Sequence, residues 1–288
     1  MKLVNRLRLV LVVVFLSIGS LPAPGFAGAW TQAKGSGYVG ISSVWTHFAK
    51  VRLFDGSEKD VGEVNFYSHS VNFEHGLLDH LSLQASFPFD YATRTGNAAI
   101  KGMGDGRIGF KFRIFDQDDA LPLTLSIGAE IKVPFSDYQT RALHAIGDGQ
   151  KDLELRLMAG RFVPLGAITH YVSLEGGTRL RANGPGNEVL AYFEIGSFWT
   201  NRFSTRFFVD HVNSQSGVGL ESPEFHTLRI AQGGPPFPYV QEDFTKFGAG
   251  FSFGLTSRVD VAVFGSQTIG ERNTSIDSHV GAAFGFSY

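Results

Sequence analysis

The chain has 288 residues, no cysteine and a formal net charge of −2, with 35 glycines and 27 phenylalanines but only 3 methionines. Without thiols there is neither a disulfide framework nor a thiolate metal centre, and near-balanced charge gives no reason to expect a nucleic-acid partner. Abundant glycine and phenylalanine favour twisted, aromatic-rich sheet, because glycine permits curvature and aromatic rings suit a pleated surface.

The chain opens with Lys2, Arg6 and Arg8, an apolar run over 9–18 and a segment that offers Gly25 and Ala27 as small residues two apart. This is the pattern of a cleaved secretory signal peptide over 1–27, with cleavage expected after Ala27. The apolar run is about half the roughly 20 residues that a spanning helix needs. Residues 28–34 are expected as a short periplasmic amino-terminal segment, too short for a long plug, ahead of a transmembrane barrel over 35–288.

Segments with period-two alternation then recur to the end, over 35–48, 63–75, 80–91, 104–115, 121–134, 151–163, 168–181, 188–199, 202–213, 242–255, 258–269 and 275–288. Side chains of a strand alternate between its two faces, so twelve such segments predict an all-β, antiparallel, up-and-down transmembrane β-barrel, with ten or fourteen strands as the alternative counts. A secreted β-sandwich would also alternate, but it explains neither the rhythm of the connections nor the aromatic last residue. Tight links at 76–79, 116–120, 164–167, 200–201 and 256–257 alternate with longer ones at 49–62, 92–103, 135–150, 182–187, 214–241 and 270–274. Short turns belong to the periplasm and long loops to the outside, which puts both termini in the periplasm of a bacterial outer membrane.

One row of each strand is apolar, as in Ile108, Phe110, Phe112 and Ile114, or Leu153, Leu155 and Leu157. The other row carries the charges. Arg107, Lys111, Arg113, Glu130, Lys132, Glu154, Arg156, Glu175, Arg179, Glu194, Arg206, Asp210 and Lys246 are expected to line the lumen and any solute path. A charge facing lipid at the midplane costs about 2–4 kcal/mol, so this placement argues for a polar interior. These charges either pair and rigidify a narrow barrel or tune what passes through it. Around Tyr67–Ser70 the alternation blurs, which suggests a bulge or a register change. In the last strand Val280, Phe284, Phe286 and Tyr288 face lipid, while His279, Gly281, Ala283, Gly285 and Ser287 form the least bulky inward row. The seam between first and last strands is therefore the expected site of an open path, and the strand ending at Tyr288 the expected signal to the barrel-assembly machinery.

Three motifs resemble catalytic or binding signatures by letter only. Gly35–Gly40 and Gly104–Gly109 match the dinucleotide fingerprint but lack the preceding strand and following helix. Ser252 in Gly250–Gly254 matches a nucleophile elbow, yet it continues a strand between the lipid-facing Phe251 and Phe253. Asp116, Asp118 and Asp119 crowd one turn without the glycine and distal carboxylate of a calcium loop, and no metal or other cofactor is expected. The long loop 214–241, with its Gly/Pro-rich stretch 233–239, is either a lid folded inward or a surface loop.

The stretches 102–113, 130–134 and 146–153 resemble the bacterial outer-membrane phenol-degradation (MetA-pathway) family, similar in turn to hydrophobic-solute transporter barrels. Here Pro134 is followed by Phe135 and Ser136, where the family usually continues Thr-Gly. The resemblance covers most of the chain beyond residue 27 and implies uptake of small aromatic or apolar compounds. The expectation is thus a non-enzymatic, porin-like passive channel, whose partners are outer-membrane lipid and a small hydrophobic or aromatic solute. An outer-membrane lipid hydrolase is the alternative, needing a serine and a histidine at one level on the lipid-facing exterior, within hydrogen-bond reach. A non-conducting structural barrel is the third reading.

Overall fold

The computed structural model describes residues 28–117, 121–138, 142–182, 186–231 and 240–288. The expected signal peptide, Asp118, Asp119 and the stretch 233–239 lie outside the described residues. The wall consists of β1 (Gly37–Arg52), β2 (Glu58–Leu78), β3 (Leu81–Arg94), β5 (Asp105–Phe115), β6 (Thr124–Pro134), β7 (Asp152–Leu165), β8 (Ile168–Arg181), β9 (Glu188–Phe198), β10 (Phe203–Ser214), β11 (Asp243–Gly254), β12 (Val259–Arg272) and β14 (Ser278–Ser287). Two short strands, β4 (Ile100–Met103) and β13 (Thr274–Ser275), extend β3 and β1 at the long-loop end, and one helix, α1 (Pro223–Ala231), lies in the connection between β10 and β11.

Each wall strand pairs antiparallel with the next, and β1 closes the sheet by pairing with β14 from Tyr38↔Ser287 to His47↔Ser278. The twelve wall strands match the twelve alternating segments. Antiparallel neighbours need only a tight turn, and the links alternate short and long as the sequence suggests, so the barrel has a short-turn end, where β1 begins and β14 ends, and a long-loop end. Closure satisfies every edge, the condition for a sheet to cross lipid.

The apolar rows point outward. Phe110, Ile131, Leu157 and Phe251 are each at least half exposed, while their neighbours Gly109, Lys132, Glu154 and Arg156 turn to the interior. A one-residue shift would reverse every face, so register is strongly specified. The expected bulge near Tyr67–Ser70 is absent: β2 pairs there with β3 without interruption, from Asn65↔Thr93 to Gly76↔Ser82. The irregularities fall at the strand ends instead, between Phe48 and Lys50 and between Gly76 and Leu78. The blur came from outward polar residues such as His69; the inward row Ser68, Ser70, Asn72 and Glu74 is regular and buried.

The seam is not an open path. A Cβ on Gly281 would lie 1.9 Å from the Phe264 ring and one on Gly285 2.1 Å from Tyr38 Oη, so rings from neighbouring strands fill the space that small residues leave. Phe264 lies opposite Gly281 in the register, as Phe208 lies opposite Gly248 and Tyr171 opposite Gly196. Val44, Ala262, Phe264 and Ala283 pack as an apolar cluster on the inner face of this seam.

Candidate functional site: the lumen and its loop-end cavity

All thirteen charged residues expected in the lumen sit on inward rows, but they form three groups rather than one lining. In the middle of β5–β9, the register brings Glu130 opposite Glu154 and Glu154 opposite Arg179, and Arg107 opposite Lys132. Like charges directly opposite repel, so Arg107 and Glu130 find their partners diagonally, while Arg179 meets the Glu154 opposite it. Arg107 reaches Glu130 at 2.6 Å and Glu154 at 3.5 Å, Arg179 reaches Glu154 at 2.8 Å, and Arg156 pairs with both Glu154 and Glu175, the latter at 2.7 Å. Arg156 has Gly128 and Gly177 as its cross-strand neighbours, and a Cβ on Gly177 would lie 3.0 Å from its Cγ. Those glycines give the guanidinium room to lie along the wall. Glu154, 4 % exposed, is thus shared by three arginines.

Towards the short-turn end, Lys111 and Glu74 form a fully buried pair at 3.2 Å, and Arg206 meets Glu194 at 3.2 Å. Tyr171 Oη donates to Glu194 at 2.7 Å and Tyr192 Oη does so at 2.5 Å. Arg113 pairs with Asp116 at 2.6 Å near the rim. Of residues 28–34, expected as a short periplasmic amino-terminal segment, 28–32 run inside this part of the lumen and Ala33 and Lys34 lie exposed beside the short turn at Asp79. Gly28 N donates to Glu175 Oε1 at 2.9 Å, Ser126 Oγ donates to Ala29 O, and Gln32 N donates to Ser82 Oγ at 2.8 Å. Trp30 packs against Phe162 with ring centroids 4.6 Å apart and the planes tilted by 37°. A narrow polar lumen supplies partners for the segment's backbone donors and acceptors.

Towards the long-loop end, Lys132 contacts Asp148 at 2.7 Å, Asp152 at 2.8 Å and Asp105 at 3.4 Å, and Arg181 bridges Asp148 and Glu188, the latter at 2.7 Å. Burial alone would raise the carboxyl of Asp148, in the loop after β6, but Lys132 and Arg181 hold it well below the usual range. Lys246 lies 3.0 Å from His279 and 3.6 Å from Asp277. Asp210 faces the same space from β10, opposite Lys246 in the register.

Above these groups opens a cavity of about 500 Å³. Its walls are Phe48, Val64, Phe66, Leu143, Val212 and Phe244, and its charged floor is Asp148, Arg179, Arg181 and Glu188. The loop between β10 and β11 folds over it: Phe225 of α1 is fully buried and lines the cavity, while Leu220 packs on Phe48, Val51 and Val64. Glu242, at the mouth in the residue before β11, also lines it. Burial, then the Glu188 carboxylate, push its carboxyl up to about 7 against the pull of Arg181 and Lys246.

Sequence reasoning missed Glu74, Asp105, Asp148, Glu188, Asp277 and the lumen segment itself. Glu74 had a signal, the even-numbered polar row of β2. Asp148 and Asp277 stand in connections, where period two says nothing about direction. Ser252 is an inward residue on a continuous strand, opposite Ala262. On the exterior, at the short-turn end, His170 Nδ1 lies 2.8 Å from Ser197 Oγ on the adjacent strand.

No protein-family model and no curated protein matches this chain. Solved structures do. The COG4313 outer membrane channel from Pseudomonas putida F1 aligns over 93 % of this chain and 100 % of its own, with a TM-score of 0.73 at 12 % identity. LpxR from Salmonella typhimurium aligns over 86 % of this chain and 99 % of its own, with a TM-score of 0.54 at 8 % identity. At these identities the likeness is one of fold: the chain is a barrel of the outer-membrane type.

Proposed function

We propose that the protein is a passive outer-membrane channel for small aromatic or apolar solutes, closed at rest, with its short turns and termini in the periplasm and its long loops outside. The observation that carries this reading is the cavity at the long-loop end, about 500 Å³ of space walled by Phe48, Phe66, Phe225 and Phe244 and floored by ion pairs. Ligand cavities of such size and apolar lining suit compact apolar molecules, and a charged floor lets a solute bind without being trapped in an apolar core. The resemblance to the phenol-degradation family and the fold shared with a solved outer membrane channel support the same reading. Passage requires the ion-paired middle and the inserted amino-terminal segment to yield, as conduction needs binding sites weak enough to leave.

The test is uptake of a small aromatic solute into proteoliposomes, beside single-channel recording in planar bilayers. Wild-type protein is expected to accelerate aromatic uptake, and Phe66→Asp, which puts a charge in the cavity wall, to reduce it several-fold. Absence of both uptake and conductance would leave a structural barrel. Lipid hydrolysis has one contact in its favour, the exterior Ser197–His170 pair at the 2.8 Å reach of an activated nucleophile. The imidazole has no carboxylate partner among the described residues, so the pair lacks the orienting third group. Loss of acyl chains from lipid vesicles, abolished by Ser197→Ala, would reverse the order of the two readings.

A further inference from the structure

Residue 28 sits where a chain terminus has more to offer than a peptide link. Gly28 and Ala29 are buried inside the lumen, and the Gly28 amide gives its one hydrogen to Glu175 Oε1 at 2.9 Å. Beside it is Ser173 Oγ, 3.0 Å from where a Gly28 Cβ would stand; Ser173 is 1 % exposed and its hydroxyl has no hydrogen-bond partner among the described residues. The other oxygen of Glu175 is held by Arg156 at 2.7 Å, and the Gly28 carbonyl accepts from Lys111, itself paired with Glu74. Gly28 has a φ of +94°, and a Cβ there would lie 2.6 Å from the Trp30 ring, so the position takes only glycine without strain.

We infer that the α-ammonium group released by cleavage after Ala27 is the latch of the lumen segment, pairing with Glu175 and donating to Ser173. An amide has one hydrogen and no charge, whereas an ammonium has three hydrogens and a full charge, and charge-assisted bonds are roughly twice as strong as neutral ones. In the unprocessed chain the same nitrogen is an amide, which offers Glu175 one neutral hydrogen and Ser173 none, so processing strengthens the seat of the segment. Maturation then tightens lumen closure. Nothing in this inference depends on which solute passes.

The test reads seating rather than flux. Mass spectrometry of the intact membrane-extracted protein is expected to give a chain that begins at Gly28. Trp30 is one of only 3 tryptophans, so in a Trp45→Phe, Trp199→Phe background its emission and its quenching by acrylamide report the segment directly. The native chain should be blue-shifted and protected. Insertion of Gly-Ser-Gly between Ala27 and Gly28 displaces the ammonium and is expected to raise the unseated fraction about tenfold, the change that loss of about 1.4 kcal/mol produces. Glu175→Gln should do the same in the native chain and add nothing in the extended one. A mature chain that starts elsewhere, an extended chain as protected as the native one, or a Glu175→Gln effect equal in both backgrounds would each overturn the proposal. If Glu175→Gln does not assemble, the extended chain decides alone.

Discussion

Among single residues, Glu154 holds Arg107, Arg156 and Arg179 on its two oxygens. Glu154→Gln leaves three guanidiniums with one fewer anion in a water-poor space, and we expect a loss of about 2–3 kcal/mol in urea unfolding from detergent micelles. Glu242 acts in the opposite sense. Its folded-state carboxyl is raised to about 7, above the roughly 4.3 of a free glutamate, so the folded state holds the extra proton. The stability linked to it is complete below about pH 4 and is lost as pH rises through about 7, on the order of 3 kcal/mol. Thermal unfolding of wild type should therefore weaken between pH 5 and 7 more than that of Glu242→Gln. Neither role could be read from sequence alone. Parity placed Glu154 on the inner face, but its sharing by three arginines depends on barrel curvature, and Glu242 stands where a loop meets a strand.

At the scale of elements, the aromatic–glycine pairs set the interior shape. Phe208, 1 % exposed, lies on Gly248, where a Cβ would come within 2.1 Å of its ring. Gly248→Ala must push that ring off its place between β10 and β11, and overpacking of this kind costs about 1–3 kcal/mol, measurable as a lowered midpoint in the same unfolding assay. On the other face, Leu157→Arg puts a charge on the exposed row of β7; it should cost about 2–4 kcal/mol in a bilayer and far less in mixed organic-aqueous detergent where headgroups reach it. The strands themselves were legible because period two repeats faithfully in β5, β6, β7, β11 and β12. The pairing of a large ring with a small residue across the ladder was not, since it depends on register between strands. That is why the glycine-rich inner row of β14 reads as open in the sequence and is covered by Phe264 and Tyr38 in the fold.

For the whole molecule, the sequence shows a barrel and its orientation of faces, and the structure adds that the barrel is divided along its axis. An inserted segment fills the short-turn end, ion pairs cross the middle, and an apolar cavity opens under the loops. The segment's place in the lumen was not legible because seven residues without periodicity carry no strand signal, whereas the lumen supplies their partners one by one. Tyr288 shows how such a molecule is finished. Its backbone exchanges both hydrogen bonds with Gly37 at 3.0 Å, and its ring covers that glycine and stacks on His75. The first and last residues of the sheet are therefore each other's neighbours, although nearly the whole chain separates them in sequence. Their meeting closes the longest loop the protein has, so the entropy of that closure falls on the final pairing step. A chain lacking Tyr288 would keep the ten β1–β14 pairs from Tyr38↔Ser287 to His47↔Ser278 and lose only the outermost clasp of the seam.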